Sequence, residues 1–289
     1  MSGPVLILGH SGFIGGAIAE HLQRHHPGIS VLKPPRLDLT GRKAAAELAP
    51  WIAPDSTVIL CAAVKKQYGD TLDTYSANQR ISENLCRLIA AHPPARIVYF
   101  SSAAVYGEEN SNLAISEDTP VNPSTWYGLG KQVSEKMLEK TVRNTSASLA
   151  ILRPPLIYGS GDTSRGYGPT GFAWSAAQDR GNITLWGEGE ELREFVYIED
   201  AARVAVEIAL SNFTGVLNLA SGTSHSYREA LDALAGLAPL SINSRPRSKS
   251  KIDQGYDNTR MRRLLPHIAF TTLDQAIART FAEFFRAAA

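Results

Sequence analysis

The chain has 289 residues, 44% of them hydrophobic, with 29 basic against 28 acidic side chains and a net charge of +1. That length allows a large core and more than one domain, and the near-neutral balance argues against a surface built to seek nucleic acid. No apolar run approaches the ~20 residues of a membrane span, and Cys61 and Cys86 fit a reducing compartment without implying a disulfide framework or a metal site. The N-terminus carries neither a basic leader nor a cleavage site, so no signal peptide is expected and a cytoplasmic location is. The seven histidines show no metal-ligand spacing; His21, His25 and His26 are expected at an exposed helix end.

Val5-Leu6-Ile7-Leu8 is a continuous apolar run of the kind that forms a buried parallel strand. Gly9-His-Ser11-Gly12-Phe13-Ile14-Gly15 follows at once, and the residues from Gly16 to Leu22 read as a helix. Strand, glycine turn and helix form the context of a dinucleotide site. The first glycine permits the tight turn, the second lets the backbone approach a pyrophosphate, and the third lets helix pack on strand. The pyrophosphate would lie on the helix N-terminus. Ile29–Leu32 reads as the second strand. An NAD site commonly places an acidic residue at its end; here Lys33 stands eighteen residues after Gly15, with Arg36 close behind. Cations there suit a 2′-phosphate, or else they form a solvated basic loop. Asp38 and Leu39 are candidates for the adenine edge.

Residues 56–63 read as another buried strand, followed by Lys65. A helix is expected from about Leu72 to Ala91, carrying Asn78 and Asn84, and a strand over Arg96–Phe100 ending in Ser101-Ser102. A serine at the carboxyl end of a central parallel strand sits where ligands bind in such sheets. Tyr127-Gly-Leu-Gly-Lys131 lies 25 residues beyond Ser102. If it opens a helix, the four-residue spacing puts the phenol and the ammonium on one face. A lysine so placed draws the phenol's pKa from about 10 toward neutrality, and such a phenol can exchange a proton with a substrate alcohol. Apolar residues Val133, Met137 and Leu138 continue that helix. Leu149–Leu152 reads as a strand, residues 159–192 as loops and a helix outside the sheet, Arg193–Asp200 as strand-like alternation, Ala201–Leu210 as a helix, Val216–Leu219 as a strand, and the residues from about Leu273 as a final helix.

Taken in this order, the pieces resemble the extended short-chain dehydrogenase/reductases, and more narrowly the NAD-dependent epimerase/dehydratase family that modifies nucleotide sugars. The resemblance runs from Val5 to about Leu265. It rests on Gly9-x-x-Gly12-x-x-Gly15, Ser102-Ala-Ala-Val-Tyr-Gly107, Tyr127-x-x-x-Lys131 and Arg193-Glu-Phe-Val-Tyr-Ile-Glu-Asp200. It implies a catalytic triad of Ser102, Tyr127 and Lys131. It implies cofactor contacts from Gly9, Ser11, Gly12, Phe13, Ile14, Gly15, Lys33, Arg36, Asp38, Leu39, Ala62, Ala63, Lys65, Asn78, Pro154 and Leu156, with Tyr127 and Lys131. It implies substrate contacts from Ala103, Thr125, Asp257 and Arg193, the last a bidentate grip on a diphosphate; a surface salt bridge is the plainer use of Arg193.

Two departures carry information. The family's 4,6-dehydratases place Asp-Glu where this chain has Ala103-Ala104, so the acid that expels water is missing. GDP-fucose synthases have a cysteine at Ala104, so that style of 3,5-epimerisation is not expected. The resemblance thus implies an α/β enzyme with a Rossmann-type doubly wound parallel sheet and a smaller C-terminal substrate-binding lobe. Residues 1–158 and 193–216 would form the cofactor domain, and 159–192 with 217–289 the lobe. The expected reaction is hydride transfer at a sugar carbon, C4 being favoured, as 4-epimerisation or 4-ketoreduction, with NAD or NADP and a lean to NADP. A homodimer is implied. The alternatives are a catalytically silent NADP sensor and a reductase of a non-sugar carbonyl.

Overall fold

Each residue of the run Val5–Leu8 is buried, so the segment can only be a strand covered on both faces. In the computed structural model, which describes residues 3–248 and 250–286, it is β1 of an all-parallel sheet. The other strands are β2 (Val31–Leu32), β3 (Thr57–Leu60), β4 (Arg96–Phe100), β5 (Ser148–Arg153) and β6 (Gly215–Asn218). Their order is β6-β5-β4-β3-β1-β2. The chain leaves β1 toward β2 and returns on the other side to β3. That reversal is the switch point at whose carboxyl ends ligands bind in open parallel sheets. The exits of β1 and β3 are the glycine turn and the segment from Cys61 to Lys65.

The longer helices that accompany this sheet are α1 (Phe13–His25), α2 (Leu72–Ala91), α3 (Trp126–Val142) and α4 (Ile198–Leu210). A reciprocal Thr71–Thr74 capping box starts α2. Leu85, Leu88 and Ile89 of α2 and Leu138 of α3 close one face of the sheet over Leu6, Leu60, Ile97, Tyr99 and Ile151. Helices α2 and α3 pack together, and the bond between Ser82 Oγ and Ser134 Oγ, 2.7 Å, fixes their register.

The chain divides into two units. The first runs to Glu108 and takes in Glu117–Pro154 and Ala201–Leu219; the second takes Glu109–Ser116, Pro155–Asp200 and the described residues from Ala220 on. Residues 109–116, 155–158, 193–200 and 217–219 therefore fall on the other side from the sequence expectation. The second unit holds short strand pairs, among them Leu156–Tyr158 with Phe195–Tyr197 and Asn182–Trp186 with Ser241–Arg245. Its helices include Pro169–Gln178, Tyr227–Ala235 and Leu273–Arg286. Its interior is aromatic: Tyr227 lies 4.6 Å from Tyr167 and 5.5 Å from Phe195, centroid to centroid.

Several local expectations are corrected. The second strand is two residues long, Val31–Leu32, rather than four. Alternation after Arg193 ends at Tyr197: Ile198-Glu-Asp opens α4, where Glu199 and Asp200 meet the positive end of the helix dipole. Residues 159–192 contain a strand, Asn182–Trp186, as well as a helix. His21 is half-buried, its ring 4.5 Å from that of His25. The inward face of α3 carries Lys131, Ser134 and Glu135 with Leu138, while Val133 and Met137 are only partly covered.

No helix among the described residues is long and apolar enough to cross a membrane. No group of three His, Cys, Asp or Glu side chains among them could hold a metal ion.

Candidate active site

The glycine turn needs its glycines for steric reasons. Gly9 has φ +97°, and a Cβ there would lie 2.8 Å from Ala62 N. A Cβ on Gly15 would lie 2.3 Å from Gly9 O. Gly12 N donates to Gly9 O at 2.9 Å and closes the turn. Gly12 is the N-cap of α1, with no side-chain capping bond and no acidic residue in the first turn. The helix thus presents uncapped amides, with Ser11 and Gly12 exposed and Phe13 and Ile14 partly covered. That cradle fits a pyrophosphate.

Ala62 N is held by Leu8 O at 3.0 Å. Asn78 fixes the next turn of chain: its Oδ1 accepts from Val64 N at 2.8 Å and its Nδ2 donates to Val64 O at 3.0 Å. Its amide thus shapes the loop that follows β3. Lys65 Nζ lies 5.4 Å above the Phe13 ring, beside the glycine turn. Lys33 and Arg36 are both exposed. Asp38 is exposed too, and its Oδ1 accepts from Thr40 N at 3.0 Å and Thr40 Oγ1 at 2.7 Å, which holds the carboxyl below its usual range. Asn84, given no role from the sequence, anchors this loop by donating to Leu39 O and Gly41 O, both at 2.9 Å.

Ser102 and Tyr127 meet because a glycine lets their backbones approach. A Cβ on Gly128 would lie 2.6 Å from Ala104 O. Ser102 caps the short helical turn Ala103–Tyr106, accepting from Ala104 N at 3.2 Å, and its side chain hydrogen-bonds the Tyr127 side chain. Ala103 and Ala104 are buried, and Ala103 N donates to Pro154 O at 2.8 Å. Thr125 accepts from Gly128 N at 3.1 Å as the N-cap of α3. Asp70, not singled out from the sequence, accepts from Tyr127 N at 2.9 Å.

Lys131 is buried, and its Nζ donates to Phe100 O at 2.6 Å, 4.9 Å above the Tyr99 ring and 5.8 Å from the Tyr127 ring. The sequence expectation that Lys131 draws the Tyr127 phenol toward neutrality is not met here. Burial pushes the phenol up to about 12, against a lowering contribution from its bond to Ser102. Burial pulls the Lys131 ammonium down to about 8. Cys61 is half-buried and its thiol is pushed up to about 12 by burial, which makes it an inert wall.

Behind the serine lies a charged pair without a local sequence signal. Glu135 is fully buried; Arg153 donates to it through Nε at 2.9 Å and through its terminal nitrogen at 2.7 Å. Arg153 also donates to Tyr106 Oη at 3.0 Å, and Tyr106 Oη donates to Asn218 Oδ1 at 2.8 Å.

In the second unit, Leu156 opens the strand Leu156–Tyr158. Arg193 is partly buried: its Nη1 donates to Leu192 O at 2.9 Å and to Ile252 O, and its side chain bonds Tyr227. Asp257 is exposed and accepts from Thr259 N at 2.7 Å, just ahead of a short helix that begins at Thr259. Beside Arg193, Glu194 is buried and accepts from Ser221 N and, at 3.0 Å, Gly222 N. Burial outweighs these donors and pushes its carboxyl up to about 7. A carboxyl raised on folding adds stability in acid that is lost as pH rises toward 7. Thermal midpoints are expected to fall between pH 5 and 8, and Glu194→Gln should flatten that slope; an unchanged slope in the variant assigns the pH dependence to another group.

Residues 5–220 match the NAD dependent epimerase/dehydratase family. The chain belongs to that family. It is 30% identical over 169 residues, 57% of this chain and 55% of the relative, to a putative UDP-glucose 4-epimerase of Methanocaldococcus jannaschii. It spans about half the length of the curated relatives it matches. Two solved structures share its fold. The RMD protein of Pseudomonas aeruginosa complexed with NADPH has a TM-score of 0.86 at 20% identity, covering 98% of this chain and 99% of that one. The UDP-glucose 4-epimerase of Thermotoga maritima with UDP-glucose has a TM-score of 0.85 at 19% identity, covering 99% of both.

Proposed function

We propose that the protein is an NAD(P)-dependent enzyme that moves a hydride to or from a sugar carbon of a nucleotide sugar, C4 being the favoured position, by 4-epimerisation or 4-ketoreduction. The observation that carries this reading is the Ser102–Tyr127 hydroxyl pair at the carboxyl end of β4, with the Lys131 ammonium beside it. Tyr127 exchanges the proton of the reacting hydroxyl, Ser102 holds its oxygen, and Lys131 places a positive charge near the phenol. The glycine turn, the 62–65 segment and Lys65 would hold the dinucleotide, which supplies the hydride acceptor or donor. The first unit is read as the cofactor domain and the second as the substrate lobe, with Arg193 as its diphosphate ligand; for that role Arg193 must exchange carbonyl partners for phosphate oxygens. Ala103 and Ala104 supply no acid, which speaks against 4,6-dehydration.

The experiment is to identify the cofactor that co-purifies, then assay interconversion of UDP-glucose and UDP-galactose and, separately, NADPH consumption with 4-keto nucleotide sugars. Tightly held NAD with interconversion supports the epimerase; weakly held NADP with NADPH consumption supports the reductase; turnover of neither class overturns the proposal in favour of a silent dinucleotide sensor. Titration of both cofactors tests Lys33 and Arg36. Each exposed contact to a 2′-phosphate is worth about 1–2 kcal/mol, or roughly tenfold. A modest, salt-sensitive NADP preference is expected, reversed in Lys33→Asp/Arg36→Ala; equal or tighter NAD binding by the wild type removes these cations from the reading.

We also propose a homodimer through α2 and α3. Leu72 and Trp126, near their N-terminal ends, are 56% and 40% exposed and would be covered in such a dimer. Sedimentation at micromolar concentration should give the dimer mass; a monomer overturns it.

A further inference from the structure

We propose that Glu135 is a positioning residue for the Ser102–Tyr127–Lys131 site, holding the turn that carries Ser102 against the helix that carries Tyr127 and Lys131. The inference rests on the reading of those three residues given above.

Tyr127, Lys131 and Glu135 recur every four residues and so share the inward face of α3. Two successive residues at the end of β4 receive that face. Phe100 O accepts from Lys131 Nζ at 2.6 Å, and Ser101 Oγ donates to Glu135 Oε1. Ser101 is the residue immediately before Ser102. On the far side of the turn, Tyr106 Oη accepts from Arg153, whose guanidinium is forked onto the same Glu135 carboxylate. Arg153 also lies 4.9 Å over the Tyr106 ring. One carboxylate therefore grips the Ser102 turn at both ends, directly through Ser101 and through Arg153 at Tyr106. Glu117 Oε1, accepting from Asn218 N at 2.9 Å, anchors the outer end of the chain at β6.

Two features argue for placement over stability alone. A buried ion pair contributes little net stability over an apolar pair of the same volume, so its use is better sought in what it orients. Further, the Lys131–Phe100 bond belongs to a side chain that the proposed reaction recruits, whereas the Glu135–Ser101 bond is independent of where Lys131 points. Glu135 can hold α3 on β4 while Lys131 moves.

The test uses Ser101→Ala, which removes the Glu135–Ser101 bond and leaves the Glu135–Arg153 pair, and Tyr106→Phe, which removes the second grip and keeps the ring. Tyr127→Phe is the control. Turnover is read with UDP-glucose, and the Ser102 Oγ–Tyr127 Oη separation is read in crystal structures of the same variants. A misplacement near 1 Å costs up to about 100-fold in rate. Expected are a roughly 10- to 100-fold lower kcat in Ser101→Ala, with KM and cofactor affinity nearly unchanged, a smaller loss in Tyr106→Phe, and a lengthened separation in both. Unchanged kcat and unchanged separation in both variants, with Tyr127→Phe inactive, overturn the positioning role alone. A fully active Tyr127→Phe overturns the assignment of the three residues, and this proposal with it. Where UDP-glucose is not turned over, the separation by itself decides.

Discussion

Tyr127→Phe should leave cofactor binding nearly intact and lower turnover by roughly 100-fold or more, the scale of a lost general acid–base group. The substitution removes one oxygen and keeps the ring that faces Lys131. It leaves the backbone amide on Asp70 in place, so the start of α3 should be undisturbed. The size of the effect follows from the surroundings of the phenol. Burial holds it protonated to about 12, and Lys131 carries its charge until the pH rises through about 8. Near neutral pH the pair is therefore a neutral phenol beside a cation, and a bound oxidised dinucleotide, positive at its reacting ring, would act to lower the phenol's pKa. Steady-state turnover and cofactor titration of the same preparation check this; near-normal turnover removes Tyr127 from the chemistry.

Arg153→Ala is expected to cost about 3–5 kcal/mol of stability, because it leaves a buried carboxylate uncompensated. Glu135 has no measurable exposure and Arg153 only 5%, so neither group can turn to water in place. The same substitution frees Tyr106 Oη from its charged donor. Denaturant unfolding of the whole chain, followed by more than one probe since the chain has two units, measures the loss. Replacing both partners, as Glu135→Leu/Arg153→Met, should recover most of the stability while leaving the Ser102 turn unheld. A single variant as stable as the wild type contradicts the picture of a desolvated pair.

The parts of this protein that were legible in its sequence are those whose physics is local. Val5–Leu8 and Arg96–Phe100 are buried at every position, and the apolar runs Val5–Leu8 and Ile97–Phe100 have few other uses. The helix from Leu72 to Ala91 has its bounds set by Thr71 and by the end of its apolar period. Gly9 and Gly15 declare themselves because no side chain fits there. Tyr127 and Lys131 are read from a spacing that any helix enforces.

What was not legible depends on partners far along the chain. Glu135 looks like an ordinary surface glutamate, since its partner Arg153 lies 18 residues away and Ser101 lies 34 away. Asp70 reaches Tyr127 N across 57 residues. The apolar residues Val133 and Met137 mark the helix but not its inward face, which is set by what the end of β4 presents to it, namely a carbonyl and a hydroxyl. The reversed tuning of Tyr127 was missed for a similar reason. Spacing announces the ammonium beside the phenol, but not the protein packed around both.

The interleaving of the two units bears on how the chain is made. The first unit draws on residues as late as Leu219, and its edge strand β6 pairs with β5 only when Gly215–Asn218 are available. During synthesis, β1 to β5 would therefore emerge well before the sheet can be completed, exposing the apolar edge of β5 for the interval needed to translate some sixty further residues, a few seconds at the usual rate of about 5–20 residues per second. The second unit waits longer, since Leu273–Arg286 belongs to it. No single cut of the gene separates one finished unit from the other; isolating the cofactor-binding half calls for rejoining segments rather than truncation.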